Sequence, residues 1–128
     1  MLVDERVVSW HREAIPRLLQ AGLLRLMALT LNQEVIAVLY SLIDRERKGR
    51  VQYFYITAYS PEHAELRPGT LLIAYAIEQA AKEGVETIDM LRGDERYKQI
   101  WHMEKVPTWC VTHTAKKETA PAREETAA

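Results

Sequence analysis

Hydrophobic positions along the chain follow two different periods. Between Ser9 and Gly22, Ile15, Leu18 and Leu19 recur at the three- and four-residue spacing of one helix face. Gly22 suits the left-handed residue that ends such a helix. Pro16 lacks an amide donor and crowds the preceding turn, so the helix either starts near it or kinks there. The pattern leans towards the kink. "LLRLMALTL" and "EVIAVLYSLI" are rich in branched apolar residues and predict a hairpin, with Gln33 standing where a glycine would ease the turn. "DRERKGR" is a polar turn. "VQYFYITAY" alternates Val51, Tyr53, Tyr55 and Thr57 with Gln52, Phe54, Ile56 and Ala58, a strand with two usable faces. Three consecutive antiparallel strands are expected.

After Tyr59 the pattern changes. "SPEHAELRPGT" is a polar connection, and "TLLIAYAIEQAAKEG" a strong helix with Ile73, Ile77, Ala80 and Ala81 along one side and Gly84 at its end. "VETIDML" reads as a short strand, "DERYKQIWH" as a short helix and "PTWCVTHT" as a last strand. If "VETIDML" lies parallel to "VQYFYITAY", the helix between them is the crossover. The expected class is an α/β (α+β) domain, with a mixed, mostly antiparallel sheet flanked by helices. Its expected limits are residues 9–114, after an N-terminal extension over 1–8. From Ala115 onward the chain is polar and low in complexity, and a disordered tail over 115–128 is expected.

Composition narrows the function classes. With 17 basic against 18 acidic side chains the formal net charge is -1, so no bulk field favours nucleic acid or an anionic membrane. No uncharged run approaches the roughly 20 residues that span a bilayer. The single cysteine, Cys110, excludes an internal disulfide and fits a reducing compartment, and the acidic start "MLVDERVVSW" does not resemble a signal peptide. A cytoplasmic protein is expected. Cys110 lies in "WCV" and reads as a small buried hydrophobe. His11, His63, His102 and His113 show no ligand-like spacing, so no metal site is expected.

Two stretches can carry chemistry. Arg67, Pro68, Gly69 and Thr70 stand at the start of the strong helix, where free amides and the helix dipole form an anion site. Gly69 would let a phosphate approach the backbone, Arg67 would add a charged fork and Thr70 a hydroxyl. The plainer reading is a Pro-Gly helix start. The second stretch is "DMLRGDERYKQIW". Asp89 and Arg92 flank a strand end, Gly93 permits a sharp turn, and Asp94 is placed to cap the next helix and pair with Lys98. Tyr97 and Trp101, four apart, share a face. The plainer reading here is a charged cap with two aromatic anchors.

"LRPGTLL" and "D-x-LRGDE-x-YK-x-x-W" together resemble the C-terminal acyltransferase domain of the CelD/BcsL-like (cellulose-biosynthesis-type) acetyltransferases, a branch of the GNAT superfamily. The resemblance runs from about His11 to Trp101. It implies a GNAT-like fold lacking the usual N-terminal half, with acetyl-CoA or another acyl-CoA as co-substrate and an amine, small molecule or peptide, as acceptor. It also implies that the pyrophosphate lies on the Arg67–Thr70 region and Leu71. The pantetheine arm would run along Ile56, Thr57 and Ala58. By chemistry rather than by the resemblance, Tyr97 is the candidate acid for the departing thiolate, with Asp94 or Glu95 assisting the amine. The missing half suggests a homodimer or docking onto a separately encoded partner. Two other readings stand beside an N-acyltransferase: a non-catalytic GNAT-like module, and a relative of the aminoacyl-tRNA-using peptidoglycan transferases. The near-neutral charge counts against the last.

Overall fold

The structure, a computed structural model, describes residues 4–44, 46 and 50–114. Helix α1 (Glu5–Gln20) is capped by Asp4, whose carboxylate accepts from the Arg6 amide at 2.9 Å. It begins inside the expected N-terminal extension and runs through Pro16 as one element. Gly22 adopts φ +68° just beyond it, as its position predicted. Strands β1 (Leu24–Leu31), β2 (Glu34–Asp44) and β3 (Val51–Tyr59) form the antiparallel meander. A 3-10 helix over Pro61–Leu66 leads into α2 (Pro68–Lys82). This helix crosses back to β4 (Thr87–Asp89), which pairs parallel with Val51–Tyr53 of β3. Helix α3 is one turn, Arg96–Gln99. Among the described residues the sheet order is β1-β2-β3-β4.

The core lies between the sheet and α2. Ala37, Leu39 and Phe54 meet Leu72, Ile73 and Ala76, with Met90 from the chain after β4, and Trp101 and Met103 close its edge. Each large apolar side chain removed from water contributes on the order of 1.5–3 kcal/mol, so this helix–sheet contact is the main source of stability. Helix α1 lies on the opposite face. Tyr40, next in sequence to Leu39, points the other way and meets the buried His11 ring at 5.5 Å between centroids.

Strict alternation along β3 fails at one point. Tyr40 pairs with Ile56 but Ser41 pairs with Phe54, leaving Tyr55 as an extra residue in a bulge. The bulge puts Thr57, paired with Leu39, on the same face as Phe54. Tyr55 lies on the α1 face, where its ring meets His11 and Tyr40.

Two expectations are corrected. Residues 107–114 form no strand: a strand persists only on a partner, and β4 offers a ladder of three residues. Trp109 and Val111 are consequently 89% and 91% exposed. Cys110, expected to be buried, is exposed for the same reason. The tail 115–128 and most of the basic turn after β2 lie outside the described residues.

Candidate functional site

At the end of β3 the sheet opens. Strand β4 stops opposite Tyr53, so from Phe54 to Tyr59 that edge of β3 has no strand beside it among the described residues. The opening meets the start of α2 in a cavity of about 290 Å³, lined by Thr57, Tyr59, Ala64, Arg67, Pro68, Gly69, Thr70, Ile73 and Tyr97. Tyr97 of the second stretch, 27 to 30 residues along the chain from the Arg67–Thr70 stretch, therefore shares one space with it.

The first turn of α2 shapes the floor. Pro68, at the first helical position, is buried and has no amide hydrogen to satisfy. The amides of Thr70 and Leu71 both reach back to the Arg67 carbonyl, at 3.0 and 3.1 Å. Gly69 thus keeps the one unbonded amide donor of that turn among the described residues. Arg67 sits in the left-handed region at φ +49°, and its side chain is in no ion pair among those residues.

Gly69 has a further property. Its backbone is not in the left-handed region, and a Cβ there would meet only Tyr59 Cδ1, at an ordinary 3.5 Å. Nothing inside the chain demands glycine, which within a helix costs roughly 0.5–1 kcal/mol relative to alanine. What glycine does is leave bare backbone facing the cavity. A pyrophosphate fits these donors: one free amide, one unpaired guanidinium and the Thr70 hydroxyl at the positive end of a 15-residue helix.

Tyr97 forms the opposite wall and is 40% exposed. Burial of its ring pushes the phenol above its usual pKa, against a weaker downward pull from the Lys98 charge. It therefore keeps its proton throughout the neutral range.

Asp94 and Glu95 are placed elsewhere. Neither lines the cavity. Asp94 does not cap α3: the residue at that position is Glu95, with no capping bond from its side chain. Asp94 instead pairs with Lys105 at 2.8 Å, and that hydrogen bond holds its carboxyl below the usual carboxylate range. Glu95, not Asp94, pairs with Lys98, at 2.7 Å, and its carboxyl is lowered by that bond. Of the other expected cofactor residues, Thr57 reaches the cavity, while Ile56 and Ala58 pair with Tyr40 and Val38 and do not line it. Leu71 is exposed outside it. Asp89 and Gly93 take their expected parts in the turn: Asp89 Oδ1 accepts from the Leu91 amide at 2.7 Å, and Gly93 holds φ +120°. Sequence reasoning missed Tyr59 and Ala64, which reach the cavity through the bulge and the 3-10 helix. It also missed Lys98, whose burial nothing in a charged stretch announces.

The model of the acetyltransferase (GNAT) domain family matches residues 1–99. The chain belongs to the GNAT acetyltransferase family. The GNAT fold agrees with solved structures of low sequence identity. An aminoglycoside acetyltransferase, meta-AAC0020, from an uncultured soil metagenomic sample, solved with sisomicin, is 17% identical with a TM-score of 0.60, covering 80% of this chain and 74% of that one. The apo aminoglycoside 6'-N-acetyltransferase AAC(6')-IG of Acinetobacter haemolyticus is 20% identical with a TM-score of 0.58, covering 85% and 81%. A transcriptional regulator of Bacillus halodurans is 15% identical with a TM-score of 0.65, covering 84% and 76%. A search of curated proteins finds no match. Among the described residues no group of three or more His, Cys, Asp or Glu could hold a metal ion, and no helix is long and apolar enough to cross a membrane.

Proposed function

We propose that this GNAT domain is an acyl-CoA-dependent N-acyltransferase, using acetyl-CoA or another acyl-CoA and a small-molecule or peptide amine. We also propose that it belongs to the CelD/BcsL-like branch, on the two motifs it carries. The observation that supports the activity is the joining of Gly69, Arg67 and Thr70 with Tyr97 across one cavity, beside the open edge of β3. The Gly69 amide, the Arg67 guanidinium and the Thr70 hydroxyl hold the pyrophosphate. Around Ile56 to Ala58, the edge of β3 turned away from β2 has no strand beside it among the described residues, and it offers its amides and carbonyls to the amide-bearing pantetheine arm. A bound acyl thioester supplies the activated carbonyl, and Tyr97 Oη holds the proton that the departing sulfur takes.

Asp94 and Glu95 act in this reading by holding the turn and α3 rather than by touching the amine. One observation favours a second reading, a non-catalytic acyl-CoA-binding module acting through a partner chain: among the described residues no carboxylate or imidazole lines the cavity to take the amine's proton.

Mass spectrometry of mixed amines after incubation with acetyl-CoA separates the two. The enzyme yields an acetylated amine and free CoA, and Tyr97→Phe lowers turnover by about a hundredfold, the scale of a lost general acid. Because burial raises the Tyr97 pKa above the usual phenol value, its proton is held through the neutral range and lost as pH rises through that raised value. The wild-type rate should therefore show no alkaline loss from Tyr97 between pH 7 and about 9.5. No product with any amine, or a fully active Tyr97→Phe, contradicts the catalytic reading.

A further inference from the structure

Lys98 is the one lysine buried among the described residues, its side chain only 11% exposed. A buried ammonium is costly unless its three hydrogens all find acceptors. Here four acceptors converge on it: the carbonyls of Leu91, Arg92 and Gly93, at 3.4, 3.2 and 3.4 Å, and Glu95 Oε2 at 2.7 Å. Three consecutive carbonyls can turn to one point only if the backbone between them bends hard. Leu91 accordingly lies at φ +57° and Gly93 at φ +120°. Leu91 pays roughly 1–2 kcal/mol for that conformation, having no glycine's freedom.

Helix α3 cannot hold itself. It has four residues, no side-chain cap and far too few turns for independent stability. Its placement depends on Trp101 and Met103 in the core on one side, and on what fastens the turn before it on the other. Lys98 is that fastening. Its ammonium also stands 6.0 Å from the centroid of the Tyr97 ring.

We infer that Lys98 is a positioning residue: by tying the 91–93 carbonyls to Glu95 it fixes α3 and sets Tyr97 against the α2 start across the cavity. This rests on the proposed acid role of Tyr97 for its effect on rate, but not for its effect on structure.

Lys98→Met keeps the stem and removes the ammonium. In the folded variant the Tyr97 ring resonances should move and hydrogen exchange at the amides of 91–94 should quicken. With acetyl-CoA and a reactive amine, kcat should fall by about tenfold or more, since small misplacements of a reacting group cost that much, while KM for acetyl-CoA stays within about twofold. Tyr97→Phe combined with Lys98→Met should be no slower than Tyr97→Phe alone, because both changes remove the same proton donor. Multiplying effects, or Tyr97 resonances that do not move, overturn the inference. If the wild type transfers no acyl group, the functional reading fails separately, and the Tyr97 resonances alone decide the role of Lys98. Should Lys98→Met not fold, Glu95→Ala removes one of the four acceptors and should shift the same resonances less. An unmoved ring there overturns the inference as well.

Discussion

Gln33 holds φ +70° and Asn32 φ +50° in the two-residue turn between β1 and β2. Positive φ at both positions is the hairpin turn whose twist matches the flanking strands. Asparagine tolerates it; glutamine gains nothing from it. Gln33→Gly should therefore stabilise the domain by about 0.5–1 kcal/mol, the left-handed strain removed less the added entropy of the unfolded glycine. Urea denaturation of the two proteins measures this, and an unchanged or lowered midpoint contradicts it. The strain was legible in the sequence because the turn length fixes the backbone and Gln33 is the wrong residue for it. The partners of Asp94 were not. Its spacing to Lys98 suggested a pair and its place before a helix suggested a cap, but Lys105 folds back from beyond α3 and takes the carboxylate. No local rule foretells a partner that arrives by tertiary contact.

At the level of elements, the hydrophobic periods give the strands of the meander and helix α2, and the conditional parallel pairing of β3 with β4 is the one the structure holds. The elements that failed depend on neighbours. Residues 107–114 have strand composition but pair with no strand among the described residues. The bulge at Tyr55 breaks an alternation that the residue types keep. Strand β1 is the other edge of the sheet, and Leu26 and Leu31 on it are exposed. Unpaired amides beside exposed leucines favour pairing with a second chain. We expect a homodimer, or docking onto a separately encoded partner, through this edge. Sedimentation velocity at high micromolar concentration should show a dimer that Leu26→Lys weakens, whereas a clean monomer counts against the homodimer.

Across the whole molecule, α1 and α2 pack on opposite faces of the sheet, and where β4 ends and β3 continues that edge of β3 is open among the described residues. That gap brings a phosphate-type helix start and a protonated tyrosine into one cavity. Each half of the site was legible as a local motif: Pro-Gly at a helix start, Tyr97 in a charged turn. Their meeting is expected only through the acyl-transfer reading, which puts the pyrophosphate on Arg67–Thr70 and Tyr97 at the thioester; neither local pattern gives it. The central claim is that the Gly69 end of this cavity holds the pyrophosphate of CoA. Thermal unfolding with and without CoA tests it directly, in the wild type and in Gly69→Glu. The variant should fold, because position 69 has helical backbone and room for a Cβ. At a hundredfold excess over its dissociation constant, CoA should stabilise the wild type by about 2.7 kcal/mol and raise its melting temperature by several degrees. The carboxylate of Gly69→Glu should abolish that rise while leaving the unliganded melting temperature close to the wild-type value. No rise in the wild type, or an equal rise in the variant, would contradict the account.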